Sequence, residues 1–309
     1  MQLTRRSFLI GSALAPGMSA MAPGAAPALR FPTAARDRLA IASYSFRSLI
    51  DTPRNRARNT VPQGGWIALK DFPALMAQKY NVHAVELLNQ HFPSVEPAYL
   101  RELREAVQSA GSRIVNIPTG VGASVYDTDE SRRALAVVNA KKWVDTAVAL
   151  DCPSIRVHIQ GAKGLTPDAE LAARSLLEIA LHGQARGVVV NLENDDPATE
   201  DAFFVAKVID RAHSPWLRAL PDFCNSMLRG DEKFNYDAVS AMFQRAYNIS
   251  HVKDSEVDGD RIVRVDLART FMIAKESGYK GWFSIEWEGA GDVWEENGKL
   301  IGQSLRYMG

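Results

Sequence analysis

The sequence has no excess of charge of either sign. Its 309 residues include 36 lysines and arginines and 36 aspartates and glutamates, which gives a formal net charge of zero. Proteins that bind nucleic acids or anionic membrane surfaces usually carry a clear positive balance, so we predict no nucleic-acid partner. The composition, 46% hydrophobic and 23% charged, is typical of a globular protein.

Cysteine is almost absent. Only Cys152 and Cys224 are present, so the chain can form at most one intramolecular disulfide. In the strand pattern described below, Cys152 precedes one strand and Cys224 stands at the end of another, which places them at opposite ends of the sheet. A disulfide requires Cα atoms within about 7 Å of each other, and we therefore predict none.

Long hydrophobic runs are also missing. A mildly apolar stretch follows Arg5-Arg6 and continues to Ala28, but Pro16-Gly17 interrupts it and it is too short to span a bilayer stably. The segment Thr4-Arg-Arg-Ser-Phe-Leu-Ile10 resembles a twin-arginine export signal in its arginine pair, phenylalanine and leucine. The resemblance implies a periplasmic or secreted protein that is folded before the twin-arginine translocation machinery exports it.

Two small-x-small motifs compete as the end of this signal, one at Ala22 and one at Ala28. Pro23 would follow the first cut, and proline at that position usually blocks cleavage. We therefore predict a signal peptide over residues 1–28 and a mature domain over residues 29–309. The alternative is an unstructured N-terminal tail with a chance arginine pair.

After residue 37, short apolar runs alternate with longer amphipathic ones. Apolar residues at three- and four-residue spacing predict helices over Tyr99–Ala110, Ser131–Leu150, Pro167–Arg186 and Val265–Ser277. The short runs predict eight strands: Leu39–Phe46, His83–Leu88, Arg113–Pro118, Ser154–Gln160, Val188–Glu193, Arg218–Phe223, Ile249–Lys253 and Trp282–Trp287. Alternation of this kind indicates parallel strands covered by helices.

Eight strand–helix units in about 270 residues predict a single-domain α/β protein with a (β/α)₈ TIM barrel. A doubly wound open sheet is the alternative, but it typically has a glycine-rich turn after the first strand, and Ser43–Ser48 is no such turn. The longest strand-to-helix connection, residues 51–65, is either a lid or binding loop or a disordered surface segment.

Four consecutive predicted strands carry an ionisable residue at or near the C-terminal end: Glu193, Asp222, His251 and Glu286. In a barrel these ends meet at one face, where catalytic groups gather. Three carboxylates in one dry pocket would repel each other, and a divalent cation removes that conflict. One nitrogen and several oxygen donors suit Mn²⁺, Mg²⁺, Co²⁺ or Fe²⁺, and also Zn²⁺. Separate structural ion pairs are the alternative.

The segments Leu192-Glu193-Asn194, Pro221-Asp222, His251-Val-Lys-Asp254 and Ile285-Glu286 resemble the xylose-isomerase-like barrels, a group of sugar isomerases and epimerases. The resemblance covers essentially everything after the signal. It implies one divalent metal, Mn²⁺ first among the candidates. It also implies that Glu193 and Glu286 act as both ligand and acid/base, while Asp222 and His251 are ligands only.

Further residues are predicted to contact the substrate. Lys253 lies two residues after His251 and shares its inward face, so we predict that it neutralises an oxyanion or donates a proton; a surface lysine paired with Asp254 is the alternative. His158, at the end of the fourth strand, is predicted to face the same pocket or to be a core histidine. Glu86 and His91 are weaker candidates for binding substrate hydroxyls.

The sequence also departs from known subgroups. Ketose 3-epimerases typically carry a histidine and an arginine where this chain has Asn225 and Val257, so the substrate contacts must differ, with Asn225 as the predicted contact. Endonuclease IV shares the barrel but requires three metals and further histidines near the ligands. The remaining histidines are scattered and no basic groove accompanies them, which argues against DNA repair.

Three functions fit these residues. The first is a metal-dependent isomerase or epimerase acting through an enediolate on an unphosphorylated sugar, keto-sugar or polyol. The second is a lyase or dehydratase that starts with the same proton abstraction and then eliminates a β-leaving group. The third is a non-catalytic periplasmic sugar-binding protein. The sequence leaves the substrate, the native metal and homo-oligomer formation open.

Overall fold

The computed structural model describes residues 25–58, 60–195, 201–289 and 291–308. Most of the predicted signal peptide, residues 1–24, lies outside the described residues. Within the described ranges, no helix has both the length and the hydropathy needed to cross a membrane.

Ten strands are present in the described residues. They are β1 (Leu39–Ala42), β2 (Ala84–Glu86), β3 (Arg113–Thr119), β4 (Ser154–Val157), β5 (Val189–Glu193), β6 (Leu217–Leu220), β7 (Ile249–Val252), β8 (Ser255–Asp258), β9 (Arg261–Arg264) and β10 (Trp282–Ile285). Eight of them form one parallel sheet in the order β6-β5-β4-β3-β2-β1-β10-β7. The remaining pair, β8 and β9, forms an antiparallel hairpin.

The sheet curls into a nearly closed barrel. Its two edge strands, β6 and β7, meet through isolated bridges rather than a continuous ladder. The amide of His251 donates to the carbonyl of Pro221 at 2.9 Å, and the amide of Phe223 donates to the carbonyl of His251 at 3.3 Å. The single-domain TIM barrel is confirmed, and its seam runs directly beside two of the predicted site residues.

Helices surround the barrel on its outside. Their bounds are α1 (Pro53–Arg56), α2 (Phe72–Tyr80), α3 (Pro97–Ser109), α4 (Glu130–Ala149), α5 (Ala169–Arg186), α6 (Ala202–Ala212), α7 (Glu232–Phe243), α8 (Leu267–Glu276) and α9 (Val293–Met308). An aspartate side chain caps the N-terminus of α4, α5, α6, α7 and α8 by accepting from backbone amides of the first turn. At its other end α5 stops at Gly187, whose φ of 72° closes the helix in the left-handed conformation.

The eight predicted barrel strands are confirmed, but several end earlier than expected. The apolar run Leu39–Phe46 contains only four strand residues, because Ser43–Phe46 folds as a 3₁₀ turn that leads into the loop. The β8–β9 hairpin was not predicted. Its strands are mostly polar and exposed, and its turn is the Asp258-Gly259-Asp260 sequence, with Gly259 at φ 60°.

The barrel interior is divided into a closed end and an open end. A cluster inside the barrel includes Ala40, Val115 and Ile249, and Phe31 packs against it from the N-terminal segment. Phe31 also contacts Trp282 edge-to-face, with ring centroids 5.2 Å apart. Side chains alternate along a strand. His251 and Lys253, two and four residues after Ile249, and Glu286, four residues after Trp282, therefore face the open end. Cys152 and Cys224 are both buried and free.

Candidate metal centre

The structure brings the four predicted ligands together at the open end of the barrel. Glu193 ends β5, Asp222 follows β6, His251 lies in β7, and Glu286 follows β10. Their exposed fractions are between 0% and 5%. One donor atom from each residue lies within 4.8 Å of the donor atoms of the other three. The four residues therefore form one cluster and not separate structural ion pairs.

His251 is at the centre of this cluster. Its Nδ1 atom lies 2.7 Å from Oε1 of Glu193 and 3.1 Å from Oε2 of Glu286, while Nε2 lies 2.9 Å from Oε2 of Glu86. Burial acts to lower the pKa of His251, but these three carboxylates raise it well above its usual value. The imidazole is therefore surrounded by acidic groups that favour its positively charged form.

Asp222 provides the clearest indication of a missing positive charge. Its Oδ1 accepts hydrogen bonds from the amides of Cys224 and Asn225, at 2.8 and 2.7 Å. Its Oδ2 is buried and has no hydrogen-bond partner among the described residues. Burial raises the pKa of Asp222 to about 7, with Glu193 acting in the same direction and Lys253 against it. A buried, unpaired carboxylate oxygen beside three further donors fits a divalent cation.

Asn194 fixes the position of Asp222 from the neighbouring strand. Its Oδ1 accepts from the Asp222 amide at 2.8 Å, and its Nδ2 donates to the Asp222 carbonyl at 3.2 Å. The backbone of Asp222 is therefore held from both sides across the β5–β6 boundary. This arrangement orients Oδ2 toward the shared centre without using the side-chain oxygens of Asp222 itself.

Lys253 lies on the inward face beside this centre, as its position in the strand predicts. It is 4% exposed, and its Nζ donates to Oδ1 of Asn225 at 3.0 Å, to Glu256 at 3.1 Å and to Glu288 at 3.2 Å. Burial acts to lower the pKa of Lys253, but the surrounding carboxylates raise it well above its usual value. The alternative of a surface lysine is wrong, and Asp254 pairs with Arg264 instead.

A second cation lies on the other side of Glu193. Nε of Arg156 is 3.0 Å from Oε2 of Glu193, and the Arg156 side chain is only 11% exposed. Its Nη1 lies 3.1 Å from Nδ1 of His158, which in turn lies 3.0 Å from Oδ2 of Asp195. His158 is therefore at the pocket wall, as predicted, and is not a core histidine.

A cavity of about 560 Å³ opens above the cluster. It is lined by Tyr44, Leu88, Gln90, Thr119, Gly120, Arg156, His158, Gln160, Glu193, Asp195, Asn225, Leu228, Lys253, Glu256, Glu286 and Glu288. The volume falls in the range of small-molecule sites. One cavity is therefore lined by five of the predicted site residues: Glu193, Glu286, Lys253, His158 and Asn225.

Glu86 and His91 lie elsewhere. Glu86 is 1% exposed and accepts from His251 and from Nδ2 of Asn116 at 2.7 Å, so it supports the imidazole from below. His91 is 4% exposed and lies 2.9 Å from Oγ of Ser43. Neither lines the cavity above the four-residue cluster. Their predicted contact with substrate hydroxyls stays a prediction, and for Glu86 the geometry favours a positioning role.

Comparison with known families agrees with this architecture. The family model described as xylose isomerase-like TIM barrel matches residues 75–309. The chain belongs to this family. Among curated proteins, no sequence matches the chain.

Solved structures similar to this xylose isomerase-like barrel include two sugar epimerases. A xylose isomerase domain protein from Planctomyces limnophilus has TM-score 0.60 and 19% identity, covering 75% of this chain and 91% of the other. The 3-keto-D-glucoside 4-epimerase of E. coli has TM-score 0.61 and 14% identity, with coverages of 80% and 97%. The D-allulose 3-epimerase of a Methylomonas species has TM-score 0.64 and 15% identity, with coverages of 90% and 98%. At these identities the similarity shows a shared fold.

Several polar residues at the site of this xylose isomerase-like barrel are not among those predicted from the sequence. Arg156 precedes His158 by two residues and Glu288 follows Glu286 by two, so strand alternation alone places both on the inward face. Glu256 could not be found in this way, because it reaches the site from the unpredicted hairpin. Tyr44, whose hydroxyl donates to Oε1 of Glu288 at 3.0 Å, lies in the 3₁₀ turn Ser43–Phe46, where the sequence predicts strand.

Proposed function

We propose that this protein is an exported, divalent-metal-dependent isomerase or epimerase. It acts on an unphosphorylated sugar, keto-sugar or polyol by proton transfer through an enediolate. The convergence of Glu193 and Glu286 on His251 supports this proposal most strongly, since two carboxylates at one centre supply both a base and an acid. The sugar epimerases among the structurally similar proteins agree with it.

The metal would be held by Glu193, Asp222, His251 and Glu286, with Mn²⁺ as the first candidate and Mg²⁺, Co²⁺, Fe²⁺ or Zn²⁺ as alternatives. The unpaired Oδ2 of Asp222 is the donor that most needs such an ion. When bound, a divalent ion supplies Lewis-acid activation of a carbonyl and its neighbouring hydroxyl, which acidifies the C–H bond between them.

The two glutamates can act from different sides of a bound sugar. Glu193 ends β5 and Glu286 follows β10, and β6 and β7 lie between these strands around the barrel. One carboxylate removes the proton, and the other can return it to the opposite face of the same carbon. Lys253, held beside Glu286 at 3.6 Å, places a positive charge where an oxyanion develops. Asn225 and His158 line the same cavity and supply hydrogen bonds to hydroxyl groups.

A lyase or dehydratase is the second candidate. The observation that favours it is the pairing of two proton donors, the Tyr44 hydroxyl and the Lys253 ammonium, on opposite oxygens of Glu288 at the cavity wall. Either group can protonate a leaving hydroxyl or alkoxide after the C–H proton has been removed. The first half of the reaction is then the same as in the epimerase.

A solvent-exchange screen tests the proposal. The purified protein, loaded in turn with each candidate metal, is incubated in deuterated buffer with a panel of free ketoses and with a 3-keto-glycoside. Deuterium retained in a rearranged sugar supports the epimerase or isomerase, whereas release of the aglycone supports the lyase. Sugar binding that survives chelation, without exchange into any ligand, would show a binding protein and overturn both enzyme proposals.

Export is tested separately. Replacing Arg5 and Arg6 together by lysine is expected to retain the protein in the cytoplasmic fraction, because the twin-arginine machinery requires the pair. The comparison is cell fractionation of the wild-type and variant full-length chains. Equal amounts of both chains in the exported fraction would contradict the signal.

A further inference from the structure

A second cavity, which we call the arginine annex, adjoins the cavity over the candidate metal centre. It has a volume of about 570 Å³, and its lining includes Tyr44, Arg47, Arg54, Asn55, Arg58 and His91. Tyr44, Leu88 and Gln90 line both cavities. A ligand whose reacting end lies over the metal centre can therefore extend into the annex.

The two cavities differ in charge. The wall of the cavity over the metal centre has more acidic than basic side chains: Glu193, Asp195, Glu256, Glu286 and Glu288 beside Arg156 and Lys253. Among the described residues, the lining of the arginine annex contains three arginines and no aspartate or glutamate. A negatively charged substituent would be repelled from the first cavity and attracted to the second. The charge pattern therefore orients an asymmetric anionic substrate.

Arg47 is fixed at the boundary between the cavities. Its Nη2 donates to Oε1 of Glu288 at 2.9 Å, and its guanidinium lies over the ring of Tyr44, 4.4 Å from the centroid. Because Tyr44 also donates to Glu288, the three side chains hold one another in place. The guanidinium is thus pre-positioned rather than free to rotate into solvent.

The three arginines of the loop, which the sequence presents as a single basic cluster, have different environments. Arg56 forms a bidentate ion pair with Asp51, with both N···O distances no longer than 2.6 Å, and does not line the annex. Arg54 and Arg58 do line it, and their side chains form no ion pair with the described residues. Within the described part of the chain, two guanidinium groups therefore lack an acidic partner, while that of Arg56, between them in sequence, has one.

The loop that carries these arginines is held in place by its own buried groups. Nδ2 of Asn55 donates to the carbonyls of Arg47 and Ile50, both at 2.7 Å, and Asn55 is 5% exposed. Thr52 caps α1 by accepting from the Asn55 amide, and the Ile67 amide donates to the Leu49 carbonyl at the loop's end. Of the two interpretations of residues 51–65, these anchors favour a binding loop over a disordered segment.

We infer that the substrate carries an anionic group remote from the reacting carbon, and that Arg54 and Arg58, with Arg47 at the entrance, bind this group in the arginine annex. The inference rests on the proposed function for the identity of the reacting end. Guanidinium groups recognise carboxylate and phosphate oxygens through paired hydrogen bonds. Since the proposed substrates are unphosphorylated, the group is a carboxylate, and the substrate class is a sugar acid.

Binding measurements test this inference without requiring turnover. Calorimetric titration of the metal-loaded full chain compares matched ligands that differ in one substituent: glucuronate with glucose, and gluconate with glucitol. A hexose 6-phosphate serves as the third arm. The acids are expected to bind more tightly than their neutral partners. Replacing Arg54 and Arg58 together by glutamine is expected to weaken acid binding roughly 10- to 100-fold, the value of one or two charge-assisted hydrogen bonds.

The control variant is Arg56→Gln, which removes a positive charge from the same loop but not from the annex. It is expected to leave the affinities for acids and neutral sugars unchanged, and Arg54→Gln/Arg58→Gln is expected to leave neutral sugars unchanged. Equal affinity for acids and neutral partners, or equal losses in the double variant and Arg56→Gln, would overturn the inference. Tighter binding of the phosphate than of the carboxylate would support the anion site but contradict the unphosphorylated substrate.

The same proteins separate this inference from the proposed function. Solvent exchange into neutral sugars without any preference for acids would support the enzyme proposal and contradict anion binding in the annex. Acid binding that depends on Arg54 and Arg58, without exchange into any ligand, would support anion binding in the annex and contradict the enzyme proposal. Circular dichroism of each variant checks that the barrel is folded, which we expect because both arginines are exposed.

Discussion

Oε2 of Glu86 lies 2.9 Å from Nε2 of His251, on the side of the imidazole ring that faces away from Glu193 and Glu286. The two residues are neighbours only in space, since 165 positions separate them in the chain. A carboxylate in this position can accept a hydrogen bond from Nε2–H, and Nδ1 would then be the nitrogen available as a metal ligand. Partners of this kind orient a ligand histidine and increase its basicity.

Replacing Glu86 by glutamine is therefore expected to weaken metal binding roughly 10- to 100-fold without removing any ligand. The measurement is titration of the chelator-treated variant with Mn²⁺ and Zn²⁺, followed by elemental analysis. His251→Ala is the reference for loss of a ligand and is expected to lower the bound metal further. An unchanged affinity in Glu86→Gln would show that Glu86 does not support the imidazole in this way.

The two glutamates of the centre are expected to be essential for turnover. Glu193→Gln and Glu286→Gln should each lower solvent exchange at least about 100-fold, because each removes a group that moves a proton. The exposed Glu178, which pairs with Lys141 on the barrel's outside, offers a matched control, and Glu178→Gln should exchange like the wild type. Wild-type exchange in either Glu193→Gln or Glu286→Gln would refute the acid/base assignment.

Lys253 has both a structural and a proposed chemical role, and a double variant can separate them. Lys253→Met leaves Glu256 without its cation and leaves Glu288 with Arg47 alone, so we expect a loss of about 3 kcal/mol in the free energy of unfolding. Lys253→Met/Glu256→Gln removes one uncompensated charge and should recover part of that stability. Turnover should stay low in both variants. Urea unfolding and solvent exchange are the two measurements, and recovery of turnover together with stability would leave Lys253 a structural residue only.

His91 makes the stability of the barrel depend on pH. Burial, with the positive charge of Arg47 adding to it, lowers the pKa of His91 to about 4. In the unfolded chain the imidazole titrates near its ordinary pKa of about 6.5, so between these values the unfolded state binds more protons. The stabilisation is therefore complete above pH ~6.5 and is lost as the pH falls toward 4, by about 2–3 kcal/mol.

The variant His91→Asn tests this effect. Asparagine can keep an acceptor opposite Oγ of Ser43 but does not titrate. Urea unfolding at pH 7 and pH 4.5 gives the pH-dependent loss of each protein, and the loss should be smaller in the variant. Equal losses would mean that other groups account for the acid sensitivity of the barrel.

The sequence predicted those parts of the molecule that follow a regular period. Strand alternation placed His251 and Lys253 on one face, and the shared position at strand ends brought Glu193, Asp222 and Glu286 together. Contacts formed by irregular backbone were not predictable in this way. Glu256 reaches Lys253 only because a short, exposed hairpin folds back over the barrel mouth, and nothing in its polar strands indicates burial.

The two-residue alternation of side chains along a strand also could not distinguish groups that line the cavity from groups that lie beneath it. Glu86 and His251 are both buried in the barrel interior, and nothing in the sequence indicates that Glu86 contacts the imidazole of His251 instead of lining the cavity. The register shift between β2 and β3 at Val85 and Glu86 has no signal in the sequence. The arginines of the 51–65 loop were likewise equivalent in sequence, and only the pairing of Arg56 with Asp51 distinguishes them.

Residues just before the predicted mature start contact the closed end of the barrel. The carbonyl of Ala25 accepts from Nε1 of Trp216 at 2.6 Å, and the carbonyl of Pro27 accepts from the Tyr247 hydroxyl at 2.8 Å. Pro27 itself is buried. Cleavage after Ala28 would remove these contacts, whereas cleavage after Ala22 would keep them.

A chain that begins at Pro23 is therefore expected to be more stable than one that begins at Leu29. Loss of two hydrogen bonds, one of which leaves the indole N–H of Trp216 unpaired, corresponds to about 1–3 kcal/mol. For a domain of this size that is a difference of roughly 2–5 °C in Tm, which thermal unfolding of the two chains measures directly. Mass spectrometry of the exported protein identifies the natural start, which we predict at Leu29. Identical Tm values for the two chains would show that residues 23–28 add nothing to the barrel.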